Sequence, residues 1–173
     1  VLNGIHDCNV TLNIIPSGTG NDFVKNIDIG KSFKEQIDTI LDGKEISIDV
    51  GICNKRFFLN GVGLGFDGQI VSDMLKKKSW LSGHAKYYYF VMRILSTFKS
   101  ISLKLVIDSN QFNKNLILLT VANGTTFGGG FKLAPDADVS DGLLDVCIIG
   151  DISPFKRFLN IHRLSKGTHT KLN

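Results

Sequence analysis

The sequence predicts a mixed α+β fold: the remnant of an α/β domain over residues 1–43, followed by an antiparallel β-sandwich domain with inserted helices over residues 44–173. Three observations lead to this prediction. An apolar run ends in a glycine-rich turn and then a helical segment, as in α/β units. From Lys44 onward, short segments alternate polar and apolar residues between turn residues, which is typical of antiparallel strands. Stretches with apolar residues at helical spacing lie between those segments.

The first part is predicted to contain one strand and two helical segments. Residues 11–15 are mostly apolar, which favours a central parallel strand covered on both faces. Residues 21–27 follow as a short helical segment. Ser32 and Glu35 have the spacing of a capping box, and Gly43 follows the last apolar position, so residues 32–42 should form an amphipathic helix.

The second part is predicted to be dominated by strands. Residues 45–51 and 56–60 should pair as a hairpin, because Asn54 and Lys55 form a turn between them. Further strands are expected at residues 102–108, 115–122 and 143–149, and helices at residues 68–78, 84–98 and 155–164. Ser153 and Pro154 provide the N-cap and first-turn proline of the last helix.

Composition and charge restrict the class of protein. The 173 residues are 43% hydrophobic, and the net charge of +4 suits an anionic nucleotide or an acidic membrane surface as well as an ordinary soluble protein. Nucleic-acid binding is not expected, since no basic stripe has interleaved aromatics. The three cysteines are far apart and lack zinc spacing. With no signal-peptide pattern and no apolar segment long enough for a bilayer, we expect a cytoplasmic protein.

A turn at residues 16–22 is the first candidate for chemistry. Gly18 and Gly20 permit a close backbone approach, Thr19 adds a hydroxyl, and Asn21 or Asp22 can cap the helical segment that follows. A strand, a tight turn and a helix start are how many proteins present backbone N–H groups to a phosphate. The alternative is an ordinary strand-to-helix connection, which uses the same residues.

Two other motifs invite comparison with known sites. Residues 63–68 fit the pattern G-x-G-x-x-G, but the acidic residue expected about twenty positions later is missing, so dinucleotide binding is rejected. Residues 136–142 are rich in aspartate. They depart from the calcium loop of an EF-hand, because Asp141 stands where its glycine belongs and Cys147 where its closing glutamate belongs. A looser cation site and a solvated turn both remain open there.

Three blocks of sequence, in this order and at these separations, resemble the diacylglycerol kinase catalytic family, in particular the bacterial lipid kinases. They are PSGTGNDF at residues 16–23, FLNGVGLGFDGQI at residues 58–70 and ANGTTFGGGFKLAPDADVSDGLLDV at residues 122–146. The resemblance implies ATP-dependent transfer of a γ-phosphoryl group to the hydroxyl of a diacylglycerol-like lipid, with ATP and Mg²⁺ as cofactors and the nucleotide held in the cleft between the two domains.

The resemblance also assigns roles to individual residues. Those implied to bind nucleotide are Gly18, Thr19, Gly20, Asn21 and Asp22. Asp141 would give its carboxylate, and Asp138 and Leu143 their main-chain oxygens, to a structural magnesium. Asp22 and Asp49 would share a network of water and magnesium in the cleft, whereas spacing alone makes Asp49 an ordinary strand acid.

Some parts of the family pattern are not found in this sequence. Members carry a Gly-Gly-Asp-Gly-Thr phosphate loop upstream of the region that corresponds to Val1, and an Asp-Gly-Glu type motif with the proposed general base downstream of Asn173. We therefore expect no catalytic residue within these 173 residues, weak nucleotide binding and no turnover. Alternatives left open are a non-catalytic nucleotide- or lipid-binding regulatory module and a relative of the sphingoid-base or NAD kinases.

The expected partners are a nucleotide and a lipid at the membrane surface, and a homodimer is left open. The run at residues 76–81 combines lysines with Trp80, a mixture favoured at membrane interfaces. The alternative is a lysine run that complements the helix dipole, beside an aromatic face that belongs to the core. On the first interpretation the protein is transiently peripheral to the membrane.

Overall fold

The computed structural model describes residues 1–77, 80–81 and 83–171, and only the backbone of His84. The helices in this part are α1 Leu2–Ile5, α2 Phe33–Asp42, α3 Phe66–Lys76, α4 Gly83–Thr97 and α5 Pro154–Lys166. The strands are β1 Gly51–Cys53, β2 Arg56–Phe58, β3 Gly61–Gly65, β4 Ile101–Ile107, β5 Asn110–Ala122 and β6 Asp145–Gly150. Short 3₁₀ turns occupy Phe23–Asn26 and His169–Lys171. The mixed α+β class is confirmed.

The strands form two sheets with antiparallel hairpins. β1 and β2 pair with Gly51 opposite Phe58, and Asn54 and Lys55 turn the chain with φ angles of 47° and 65°, as the predicted turn requires. In the larger sheet, β5 pairs with β3, β4 and β6, and its register with β4 places Ile101 opposite Leu116. The long strand β5 is therefore the centre of this sheet.

The chain divides into two compact units. The first unit comprises Val1–Val62 and Ala122–Asp145, and the second comprises Gly63–Val121 and Val146–Asn173. Each unit groups residues that are close in space and takes them from two separate segments of the chain. The predicted boundary between residues 43 and 44 therefore stays a prediction. In the second unit, α3 and α4 supply a core of Ile70, Phe90, Val91 and Ile94.

Local patterns predicted most helices correctly. The Ser32 hydroxyl accepts from the Glu35 N–H while the Glu35 carboxylate accepts from the Ser32 N–H, so the capping box of α2 is confirmed. In α5, Pro154 lies in the first turn and Gly167 ends the helix in the left-handed conformation. The predicted end of the third helix, at Lys78, lies outside the described residues.

The predicted strand at residues 11–15 is wrong. Within the described part of the chain this segment pairs with no other strand, and Ile15 is 48% exposed. A strand exists only where a neighbour completes its hydrogen-bond ladder, which an apolar run cannot reveal. The first strand of the hairpin is predicted at residues 45–51 but lies at Gly51–Cys53, so the predicted and observed strands share only Gly51. No described helix is long and apolar enough to cross a membrane.

Candidate functional site

A tight turn at residues 18–21 is closed by the side chain of Asn21. Its Oδ1 accepts from the Gly18 N–H at 3.0 Å, and its Nδ2 donates to the Gly18 carbonyl at 2.7 Å. Asn21 has a φ of 49°, a left-handed conformation that asparagine tolerates better than most residues. Thr19 is exposed at the tip of the turn. The side chain of Asn21 therefore shapes the loop that was predicted to approach a phosphate.

Asp22 connects this turn to a second glycine-rich loop within the first unit. Its Oδ2 accepts from the Gly129 N–H at 2.7 Å, and its Oδ1 accepts from the Lys25 ammonium at 2.8 Å. Asp22 lies at the N-cap of the short 3₁₀ turn but makes no side-chain capping bond there, so the predicted cap is wrong. A β-carbon at Gly20 would lie 3.6 Å from the Gly129 Cα. The two glycine loops are therefore in close contact.

The second loop depends on its three consecutive glycines. Gly128, Gly129 and Gly130 have positive φ angles of 59°, 83° and 153°, a backbone conformation that residues other than glycine rarely adopt. Phe127 and Phe131 close the loop by exchanging two backbone hydrogen bonds of 2.8 Å each. The glycine triplet, first noted only as a motif, thus builds the partner of the Asp22 carboxylate.

Backbone donors remain available at the first turn. Among the described residues, the N–H groups of Thr19 and Gly20 have no hydrogen-bond partner, and both residues lie at or near the surface. Outward N–H groups in a tight turn are suited to bind an anion, because each can donate to a phosphate oxygen.

An asparagine network lies behind the two loops, and no motif considered above predicts it. The Asn26 Oδ1 accepts from both the N–H and the hydroxyl of Thr125, at 2.8 and 2.9 Å. Asn123 is 1% exposed and donates to the carbonyls of Asp49 and Leu59, each at 2.8 Å. The Asn60 carbonyl accepts from the N–H of Asn123 at 2.8 Å. The run Ala-Asn-Gly-Thr-Thr was its only sequence signal.

Asp49 holds the acidic turn at residues 138–142. Its Oδ2 accepts from the Gly142 N–H at 2.7 Å, and its own N–H donates to the Val139 carbonyl at 2.6 Å. Asp22 and Asp49 therefore anchor two different loops of the first unit. Their predicted connection through magnesium and water stays a prediction.

The predicted magnesium ligands lie in this acidic turn. The Asp138 Oδ1 accepts from the N–H and hydroxyl of Ser140, which lowers the pKa of Asp138. The Asp141 Oδ1 accepts from the Leu143 N–H at 2.9 Å, so one carboxylate oxygen of Asp141 is already engaged. Burial, and then the charges of Asp141 and Asp136, raise the pKa of Asp145. A cation here would offset this repulsion.

Side chains alone do not form a metal cage in this region. Over the residues that the structure describes, no group of three or more His, Cys, Asp or Glu side chains could hold a metal ion. The predicted site uses one carboxylate and two main-chain oxygens, a donor set suited to Mg²⁺ but different from such a cluster. The assignment to Asp138, Asp141 and Leu143 therefore stays a prediction.

Comparisons with known proteins cover nearly the whole chain. Residues 60–173 match the YegS C-terminal NAD kinase beta sandwich-like domain, and residues 1–53 match the diacylglycerol kinase catalytic domain. A diacylglycerol kinase of Mycobacterium tuberculosis (strain CDC 1551 / Oshkosh) is 31% identical over 171 residues, which is 95% of this chain and 55% of the relative. A diacylglycerol kinase of Bacillus subtilis (strain 168) is 31% identical over 152 residues, or 86% of this chain and 50% of the relative.

The solved structures agree with the sequence matches. The crystal structure of a diacylglycerol kinase from Bacillus anthracis str. Sterne superposes with a TM-score of 0.66 at 27% identity, over 91% of this chain and 53% of that chain. The chain spans about half the length of the curated relatives it matches.

Proposed function

The chain belongs to the diacylglycerol kinase catalytic family, with the sandwich-like C-terminal domain over residues 60–173. We therefore propose that it is part of an ATP-dependent lipid kinase. The reaction would move the γ-phosphoryl group of ATP to the hydroxyl of a diacylglycerol-like lipid. The observation that carries the proposal is the hydrogen bond from the Gly129 N–H to Asp22, which holds two glycine-rich loops together beside Thr19.

Phosphoryl transfer depends mainly on positioning and on neutralising charge. The N–H groups of Thr19 and Gly20 would donate to phosphate oxygens, while Gly18 and Asn21 hold the turn in shape. The carboxylate of Asp22 would keep the glycine triplet in place. We assign no catalytic base within residues 1–173, and propose that this chain alone binds nucleotide weakly without turnover.

Magnesium, when bound, would neutralise charge on the phosphates. Both carboxylate oxygens of Asp22 already accept hydrogen bonds, so contact through water suits Asp22 better than direct coordination. Asp49 uses its Oδ2 for Gly142. We propose that Asp22 and Asp49 contact a magnesium through water, and that the Asp141 carboxylate, with the main-chain oxygens of Asp138 and Leu143, holds a separate structural ion in the acidic turn.

The acceptor and the location are part of the proposal. We propose that the protein is cytoplasmic. Because a diacylglycerol-like substrate resides in a bilayer, the protein would visit the membrane surface transiently. The net charge of +4 is compatible with both an anionic nucleotide and an anionic surface. A sphingoid base and NAD are the competing acceptors.

Nucleotide binding can be tested by titration calorimetry with Mg-ATP. The wild-type chain should bind measurably, and Asp22→Asn should bind about tenfold more weakly, because the variant loses a charge-assisted hydrogen bond that shapes the site. Asp38→Asn, an exposed residue in α2, is the matched control. If Asp22→Asn and Asp38→Asn bound Mg-ATP with equal affinity, Asp22 would not be part of the nucleotide site.

The reaction can be tested with radiolabelled ATP and three acceptors: dioctanoylglycerol, sphingosine and NAD. We expect the full product of the gene to label dioctanoylglycerol, and the 173-residue chain to label none of them. Transfer only to sphingosine or NAD would replace the proposed acceptor. Nucleotide binding without transfer by the full product would instead support a regulatory module.

A further inference from the structure

A groove of about 490 Å³ runs along one face of α3 in the second unit. Its lining residues are Gly63, Asp67, Gly68, Val71, Ser72, Leu75 and Lys76. Within α3 these positions recur every four residues, so they form one continuous stripe along the helix. The volume lies in the range of sites that bind small molecules.

The groove lies on a face of α3 that does not pack against α4. Ile70 is 3% exposed and, with Phe66 and Met74, belongs to the core that α3 shares with α4. Val71 is 57% exposed and Leu75 is 82% exposed. Apolar side chains aligned along a surface groove commonly mark a binding site, because covering them removes apolar area from water.

The two ends of the groove differ in chemistry. At one end Asp67 is partly buried, and its Oδ2 lies 3.4 Å from the Thr120 hydroxyl. Gly63 leaves space for this carboxyl, since a β-carbon there would lie 2.8 Å from the Asp67 Oδ2. At the other end is Lys76, followed along the chain by Trp80, which is 94% exposed. Lys78 and Ser79 lie outside the described residues.

We propose that this groove binds one hydrocarbon chain of a hydroxyl-bearing membrane lipid. The chain lies along Val71 and Leu75, the polar end of the lipid points to Asp67, and the tail leaves past Lys76 toward the bilayer. The exposed Lys76 at that end complements an anionic membrane surface, and the exposed Trp80 that follows it along the chain is of a residue type favoured at membrane interfaces. These features favour a lipid over another protein as the occupant. The proposal rests on the proposed function, whose lipid substrate it locates.

The sequence offers two matched pairs of variants. Leu75 in α3 and Leu41 in α2 are each one residue before the helix end and are 82% and 72% exposed, so Leu75→Glu and Leu41→Glu disturb similar surroundings. A β-carbon at Gly68 or at Gly4 would meet nothing within 4 Å, so both glycines can be replaced by leucine without a clash of that carbon. Only Leu75→Glu and Gly68→Leu alter the groove.

The probe is a diazirine-bearing diacylglycerol in vesicles of phosphatidylcholine and phosphatidylserine, added to the wild-type chain and the four variants. After illumination, mass spectrometry should find the label on residues 63–77. Leu75→Glu and Gly68→Leu should each reduce that labelling about tenfold, the equivalent of losing one buried leucine side chain, while both controls keep it.

Each outcome bears on the proposal separately from phosphoryl transfer. Label elsewhere, or equal label in the groove variants and their controls, overturns the proposal. So does a concentration-dependent dimer in light scattering without lipid that Leu75→Glu abolishes, because a second copy would then occupy the groove. Labelling of the groove without lipid phosphorylation by the full gene product supports the groove and overturns the kinase function alone.

Discussion

Gly124 lies where the side chains of Asn26 and Asn60 approach each other in the first unit. A β-carbon at Gly124 would be 2.4 Å from the Asn60 Oδ1 and 2.6 Å from the Asn26 Nδ2, closer than real β-carbons come to other atoms. The absent side chain therefore lets the asparagine network form behind the two glycine loops. At the scale of single residues, this network depends on shape as much as on hydrogen bonds.

Replacing Gly124 with alanine should destabilise the chain by about 1–3 kcal/mol, because the neighbouring amides must move apart. Gly68→Ala is the control: its β-carbon would meet nothing, and alanine in α3 should stabilise the helix by roughly 0.5–1 kcal/mol. Urea denaturation measures both free energies of unfolding. Changes of the same sign and size would contradict the steric explanation.

The pH dependence of stability should contain a contribution from Asp67. Burial raises the pKa of Asp67 to about 6, although the hydrogen bond from Thr120 acts in the opposite direction. The unfolded chain should have the ordinary aspartate value of about 3.9. The stabilising contribution of Asp67 is therefore complete below about pH 4 and is lost as the pH rises through about 6.

Wild-type protein should lose more stability between about pH 5 and pH 7.5 than Asp67→Asn does, by about 1.4 kcal/mol. Nearby Cys147 does not titrate in this range, because burial and then the Asp67 charge raise the pKa of its thiol to about 11. Urea denaturation at the two pH values, with Asp38→Asn as the control, measures the difference. If the free energy of unfolding changed equally with pH in wild type and Asp67→Asn, the titration of Asp67 would not contribute to the pH dependence.

The sequence could identify Asp22 and Asp49 as candidates but not their partners. Asp22 accepts from Gly129, 107 positions away, and Asp49 accepts from Gly142, 93 positions away. Such contacts follow from the path of the whole chain, whereas the hydrogen bonds between Asn21 and Gly18 span three positions. Motif spacing therefore predicts the turn at residues 18–21 but not the second glycine-rich loop, whose Gly129 binds Asp22.

Elements of structure were predictable where their determinants are local. The capping box of α2, the turn at Asn54 and the first-turn proline of α5 each lie within four residues of the end that they define. A strand requires a partner from elsewhere, so residues 11–15 were predicted wrongly. The connection between α4 and α5 is also not predictable from local patterns, because it depends on one buried side chain.

That side chain is Arg157, which is 6% exposed. Its guanidinium donates to the carbonyls of Leu95 and Phe98 at the end of α4, at 3.1 and 2.8 Å, and to the Ile152 carbonyl at 2.8 Å. It also lies 3.8 Å from the carboxylate of Asp151, a residue whose side chain is 53% exposed. The carbonyl bond to Leu95 is buried and the other two are partly buried, while the ion pair is open to solvent on the Asp151 side.

Arg157→Leu should therefore destabilise the chain by roughly 2–5 kcal/mol, since three carbonyl groups lose their donor. Asp151→Asn should cost less than about 1 kcal/mol, as exposed ion pairs usually do. Urea denaturation of both variants provides the comparison. A large loss for Asp151→Asn would show that the ion pair, and not the carbonyl bonds, accounts for the stabilisation that Arg157 provides.

At the scale of the whole molecule, the two compact units have different chemical features. The first contains the glycine loops, the asparagine network and the acidic turn, and the second contains the α3 groove and the Arg157 connection. The catalytic-domain match ends at residue 53 and the sandwich-like match begins at residue 60, so both family models contribute residues to the first unit. One chain therefore carries both features that the proposed lipid kinase would use: backbone N–H groups at Thr19 and Gly20 in the first unit that have no partner among the described residues, and an apolar groove in the second.

A membrane substrate adds a requirement that involves the charge of the whole chain. Twenty basic residues against sixteen acidic residues give +4, so the chain should bind vesicles with phosphatidylserine better than vesicles of phosphatidylcholine alone. Raising the salt from about 0.1 M to about 0.5 M should weaken this binding several-fold, because the screening length falls below about 10 Å.

Lys76→Gln should weaken vesicle binding about fivefold, near 1 kcal/mol, since Lys76 lines the end of the groove that we propose to face the membrane. Lys34→Gln, an exposed lysine of α2 in the other unit, removes the same charge and should have a smaller effect. Vesicle sedimentation measures all of these affinities; equal losses for the two lysines would mean that net charge, and not the groove face, attracts the protein to the bilayer.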